Sequence, residues 1–127
     1  MIPEAKVEAG EPQAKTWRMT LEDVEPQIPL CLDFIRDNAG ELGRLRGLCI
    51  ALQEKKKTVR AQEFLKATGT VAERTAEAEA SEAYQAVTKE IEDAEAEYRT
   101  LSVLISVREA KVEVWRSLNS RANRGHV

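Results

Sequence analysis

The sequence predicts an all-α fold: a long antiparallel helical hairpin, coiled-coil-like, with an extended N-terminal arm, dimerising into a helical bundle. Three observations predict it. Eleven positions in the last third of the chain (Tyr84, Val87, Ile91, Ala94, Tyr98, Leu101, Ile105, Arg108, Val112, Trp115 and Asn119) are separated by alternating steps of three and four residues. That spacing lays them along one stripe of a helix packed against other helices. All four prolines fall in the first 29 residues, so beyond Pro29 only glycines can interrupt a helix. Ala, Glu, Leu, Arg and Lys dominate that longer part of the chain, a composition typical of long helices and coiled coils.

Residues 1–16 are polar and interrupted by Pro3 and Pro12, which predicts an extended arm reaching to residue 28. Trp17 and Met19 are its best anchors, with Trp17 as the latch. Thr20 and Asp23 form a weak capping pattern for one short turn that Pro26 should stop. The first long helix is predicted over 29–68, opening at Pro29, a residue suited to a first helical turn. Its apolar positions include Leu32, Ile35, Ala39, Leu42, Leu45, Leu48, Cys49, Leu52, Val59 and Phe64. Gly40, Gly43 and Gly47 weaken it by roughly 1 kcal/mol each relative to Ala. They lie near one face, which predicts close approach of another helix, or else a hinge.

Gly69 is a good helix stop. It opens a connector over 69–81, in which Thr70 and Glu73 form a capping box and Ser81 offers a second cap. Residues 70–80 are therefore the first turns of the second long helix or a short helix of their own. The second long helix is predicted over 82–122, frays at Asn119, Asn123 and Gly125, and ends in a basic tail, 123–127. Two helices of about 40 residues would each be ~60 Å long. Folded back on each other, they place Phe64 near Tyr84, Phe34 near Trp115, and the basic stretch Lys55–Arg60 beside the acidic stretch Glu90–Glu97.

From Leu101 to Leu118 the second helix is apolar on more than one stripe. Val103, Val107, Ala110 and Val114 accompany Leu101, Leu104, Ile105, Val112, Trp115 and Leu118. One partner helix cannot cover them all, and each large side chain left wet forfeits ~1.5–3 kcal/mol. A homodimer is the simplest remedy, with Leu101, Leu104, Ile105, Val112, Trp115 and Leu118 as its core. The returning arm is the alternative cover.

A chain of 127 residues is one domain at most. Its net charge of −3 is mild but unevenly spread: −3 over residues 1–28, +3 over 29–69, −6 over 70–100 and +3 over 101–127. A bulk polyanion binder is usually basic overall, so any nucleic-acid contact must be local. Cys31 and Cys49 would lie ~27 Å apart on a straight helix, too far for a disulfide between them. They fit two buried, reduced thiols in a cytoplasmic setting. No apolar leader segment opens the sequence, and no run approaches the ~20 apolar residues of a membrane span.

Enzyme chemistry finds little material. His126 is the only histidine, which leaves no Ser-His-Asp or Cys-His arrangement. No phosphate-cradling glycine motif occurs, and the Glu-x-x-His pattern of four-helix di-metal sites is missing. The expectation is therefore no catalytic residue, cofactor, metal or small-molecule substrate. The carboxylates from Glu77 to Glu97 fit a solvated, salt-bridged face, with a nucleic-acid-mimicking surface as the alternative. Two basic features remain. Arg116, Arg121 and Arg124 near the C-terminus carry the right chemistry for phosphates, although cations there also answer the helix dipole. Lys55, Lys56 and Arg60 are the second set, and they also neutralise the acidic helix.

Two segments, Gly69-Thr70-Val71-Ala72-Glu73-Arg74-Thr75-Ala76-Glu77-Ala78 and Val114-Trp115-Arg116-Ser117-Leu118, taken with the heptads between them, resemble small helical proteins of tailed bacteriophages and prophages, often encoded among recombination and replication genes. The resemblance covers roughly 29–124. It implies a phage origin, an intracellular setting and an accessory role in DNA metabolism, and carries over no active site. The resulting expectation is a non-enzymatic accessory protein for DNA recombination or replication. It would bind DNA, single- or double-stranded, or a host or phage DNA-processing protein. An inhibitor of a host nuclease or defence complex, working through the Glu77–Glu97 face, is one alternative. A scaffolding coiled coil is the other.

Overall fold

The computed structural model describes residues 19–125, which are helical throughout their length apart from short joints, with no strand among the described residues. The α-helices are α1 (Leu21–Val24), α2 (Ile28–Lys66), α3 (Val71–Ala80) and α4 (Glu82–Gly125), and a 3-10 turn, Glu25–Gln27, links α1 to α2. The arm to residue 18, its Trp17 latch and His126 lie outside the described residues. Two compact units divide the chain: residues up to Arg36 together with those from Ser106, and Asp37–Ile105.

In the first unit, α1 opens on a reciprocal cap. Thr20 Oγ1 accepts from the Asp23 amide at 3.3 Å, and the Asp23 carboxylate accepts from the Thr20 amide at 3.2 Å. Pro26 does not end the helical path as the pattern suggested. It occupies the start of the 3-10 turn, where the missing N–H has no intrahelical partner to lose, and α2 begins directly after. Val24 and Ile28, assigned to the arm by sequence, are core residues at 1% and 5% exposure. They cluster with Cys31 and Val112, and Trp115 and Leu118 pack on them. Met19 is 46% exposed.

In the second unit α2, α3 and α4 pack together. Its core joins Leu52 to Val87, Ile91 and Ala94, flanked by Cys49 and Val59. Gly69 adopts φ 112°, a left-handed conformation that glycine takes without a Cβ clash, and it reverses the chain. Thr70 and Glu73 then cap α3 reciprocally, at 3.2 and 3.3 Å. Ser81 makes α3 a separate helix: its backbone turns extended (ψ 153°). Its Oγ donates to the Ala78 carbonyl at 2.7 Å and accepts from the Tyr84 amide at 3.2 Å, so one hydroxyl closes α3 and opens α4.

All eleven predicted stripe positions of α4 are buried or half-buried. A matching stripe runs along α2 through Ile28, Cys31, Ile35, Asn38, Leu42, Leu45, Cys49, Leu52, Lys56, Val59 and Glu63, every one buried or half-buried. The glycines lie elsewhere. A Cβ built at Gly40, Gly43 or Gly47 meets nothing within 4 Å, so no helix among the described residues approaches them closely. They fall between the stripe positions and face outward.

Specific side-chain pairs mark how the helices align. Phe64 meets Arg74, whose guanidinium lies 4.4 Å from the ring centroid and whose Nε donates to the Phe64 carbonyl at 3.3 Å. Tyr84 faces Lys56, whose Nζ lies 5.4 Å from its ring centroid. Phe34 lies under the Arg108 guanidinium, 3.9 Å from the ring centroid. The basic stretch meets Glu90, the first residue of the expected acidic run, through Lys55, and Glu79, which precedes that run, through Arg60. In the second unit the chain reverses tightly at Gly69, and α3, one of the two expected forms of this segment, lies along the end of α2.

Candidate interaction surfaces

The ion pairs of the second unit decide which cations are available. Lys55 Nζ lies 3.3 Å from Glu90, and Arg60 Nε 3.1 Å from Glu79. Lys56 is half-buried in the α2 stripe over the Tyr84 ring. Lys57 pairs with Glu54 along the helix at 3.3 Å. The basic stretch thus acts mainly as a cross-helix partner for carboxylates. Arg46 adds a further crossing, donating to the Tyr98 hydroxyl at 3.3 Å. These contacts are exposed, and such pairs contribute about 0–1 kcal/mol each.

The acidic face is partly answered in the same way. Glu79 and Glu90 hold the α2 cations, and Asp93 pairs with Lys89 at 3.0 Å. The hydrogen bond to Asp93, then its charge, raises the Lys89 pKa above the ordinary lysine value. On α2, Arg44 donates through Nε at 2.6 Å and Nη2 at 2.8 Å to both carboxylate oxygens of Glu41. This two-pronged bond lowers the Glu41 pKa and raises that of Arg44.

In the first unit the three C-terminal arginines do not share one face. Arg116 Nη1 is held by Glu113 at 2.7 Å. Arg121 and Arg124 are exposed in the last turns of α4, one helical turn apart and therefore neighbours on its surface. No ion pair engages either one among the described residues. Lys111 donates to Gln27 Oε1 at 2.9 Å, and Arg108 covers the Phe34 ring at 3.9 Å.

The residues expected to form a self-association core divide. Ile105 and Val112 are each 6% exposed and belong to the chain's own stripe. Leu101, Trp115 and Leu118 are half-buried. Leu104 retains 39% exposure. The apolar surface left open on α4 is the other stripe: Val103 at 60%, Val107 at 47% and Val114 at 36%, with exposed Ala96, Thr100 and Ala110 at the same three- and four-residue spacing. The signal was present in the sequence as excess apolar residues. What periodicity left undecided was which stripe the chain would use itself.

Cys31 is buried and Cys49 half-buried, both as free thiols. No helix among the described residues is long and apolar enough to cross a membrane, and none of their His, Cys, Asp and Glu side chains cluster in threes to hold a metal ion. Compared with protein-family models, curated proteins and solved structures, the chain matches none.

Proposed function

We propose that the chain is a non-enzymatic, self-associating binding protein: an antiparallel helical hairpin of coiled-coil type that joins a second copy and presents a basic end to nucleic acid or to a DNA-processing protein. The observation that carries this reading is the outer surface of α4, where an apolar stripe remains open and gives way to Arg121 and Arg124. Paired stripes at heptad spacing on α2 and α4, with contact partners stepping in opposite order (Arg46 to Tyr98, Lys55 to Glu90, Arg60 to Glu79), support the hairpin. Cations that no carboxylate among the described residues engages keep their charge available for phosphate, which favours Arg121 and Arg124 over Lys55, Lys56 and Arg60. The intracellular, phage-encoded role in recombination or replication rests on the sequence resemblance.

Fluorescence anisotropy with labelled single- and double-stranded DNA at ~50 and ~200 mM salt tests the nucleic-acid arm, because phosphate contacts weaken steeply over that range. Salt-sensitive binding lost in Arg121→Ala/Arg124→Ala, with helicity intact, is the expected result. Absence of binding at low salt refutes direct contact and leaves a protein partner. The scaffolding reading shares the open stripe, and predicts higher oligomers that grow with concentration in the absence of any ligand.

A further inference from the structure

The open stripe of α4 carries its own specification of what covers it. Ala96, Thr100, Val103, Val107, Ala110 and Val114 are all exposed positions of one helix. Their alternating steps of four and three are the spacing that an a/d seam requires. They lie opposite the stripe that the chain buries itself. Two rows flank them: Glu97 and Lys111 on one side, Arg99 and Glu113 on the other.

We infer that this stripe joins the same stripe of a second copy, α4 against α4 and antiparallel, about a two-fold axis level with Ile105. The inference rests on the self-association proposed above and assigns its face and register. The sequence is self-complementary about that axis. Ala96 meets Val114 of the second copy, Thr100 meets Ala110, and Val103 meets Val107. In the flanking rows Glu97 then faces Lys111 and Arg99 faces Glu113, and the symmetry produces each pair twice. The chain's own helices already use this kind of flanking contact: Lys55 and Glu90 hold equivalent positions beside their seam and meet at 3.3 Å.

Other arrangements lose this match. Sliding the copies by one heptad towards the N-terminus sets Glu113 against Glu92, which cancels the Lys111–Glu90 pair it forms, and leaves Glu97 and Arg99 facing Leu104 and Ser106. Sliding towards the C-terminus leaves Glu97, Arg99, Lys111 and Glu113 facing Leu, Ser, Leu and Ser. A parallel pairing sets Glu92 against Glu97. Charges flanking a seam fix orientation and register in this manner. Glu113 also holds Arg116 within the helix, and Lys111 holds Gln27. An ammonium group with three donors, and a carboxylate with two oxygens, accommodate a second partner.

Sedimentation equilibrium on the full chain, with circular dichroism as the check on folding, tests the assignment. The expected result is a dimer that Val107→Asp converts to monomer at unchanged helicity. Glu97→Lys should weaken it by about tenfold, since it sets two like-charge contacts across the axis. Adding Lys111→Glu to Glu97→Lys should restore the affinity. A dimer insensitive to Val107→Asp overturns this face while leaving self-association standing. A dimer weakened by Glu97→Lys but not rescued by Lys111→Glu overturns the register. A wild-type monomer up to about 100 µM, a concentration at which weak specific pairing is populated, overturns both.

Discussion

Arg108 lays its guanidinium over the ring of Phe34, 3.9 Å from the centroid, from within a stripe whose neighbours Ile105 and Val112 are buried hydrocarbons. A long cationic side chain can line an apolar seam because its stem packs while its head stays at the edge, and here an aromatic face receives the head. Phe34→Leu keeps the bulk and removes the π-face. It should lower stability by about 0.5–1 kcal/mol, read as a lower urea midpoint with an unchanged m-value.

Trp115 packs on the Val24, Ile28, Cys31 and Val112 cluster, and its indole Nε1 is buried without an acceptor among the described residues. An unmet buried donor costs about 1–3 kcal/mol, which offsets part of what the ring contributes. Trp115→Phe should therefore shift stability by less than about 1 kcal/mol, whereas Trp115→Ala should cost about 3–5 kcal/mol through the cavity it leaves. Paired denaturant melts of the two variants decide it; equal, large losses would mean that the N–H is satisfied.

Gly69 is the most crowded glycine among the described residues. A Cβ there would come within 3.2 Å of Glu73 Oε2 and 3.3 Å of its Cβ and Cδ, in addition to the left-handed backbone. Glu73 is also half of the cap on α3. Gly69→Ala should cost about 1–3 kcal/mol, more than Thr70→Ala at about 1 kcal/mol. Thermal melts of both variants give the ordering, and a smaller loss for Gly69→Ala would contradict it.

Gly40, Gly43 and Gly47 make the opposite case. With open space around each, alanine brings helix propensity and no clash. Each Gly→Ala change should stabilise by up to about 1 kcal/mol, and the triple variant should show a raised melting temperature. No gain from the triple variant would point to a partner seated on those glycines.

The Glu41–Arg44 bond has a pH signature. Its lowered Glu41 pKa means that the folded state favours the carboxylate. The contribution is therefore present above the ordinary glutamate pKa and disappears as pH falls through the lowered value. A carboxyl-carbon NMR titration should place the Glu41 midpoint below that of a free glutamate, and Arg44→Ala should return it to the ordinary range.

The helices were legible in the sequence because periodicity and capping are local. The α4 stripe and the capping residues Thr20, Thr70 and Ser81 all stand where the pattern put them. Alignment between helices was legible only in outline, because the individual pairs depend on how sharply the chain turns. Lys55 does meet Glu90 where the charge blocks put it, whereas the contacts of Lys56 with Tyr84 and of Arg74 with Phe64 carry no mark in the pattern. The glycines of α2 misled for a related reason: small residues on a helix mark close approach only if another helix lies on that side. For the candidate site, sequence identified the cations, but only the folded chain separates Arg121 and Arg124 from those already held by carboxylates.

The turn at Gly69 also sets an order of events. Phe64 and Arg74 are 10 positions apart, Lys55 and Glu90 are 35, Arg46 and Tyr98 are 52, and Gln27 and Lys111 are 84. Forming the longest of these loops in one step costs about 2 kcal/mol more entropy than forming the shortest. If the shortest forms first, each later contact adds only a small increment. The chain should thus zip shut from Gly69 during refolding, and the contacts that bring Gln27 to Lys111 should be the last to form and the first to be lost in denaturant.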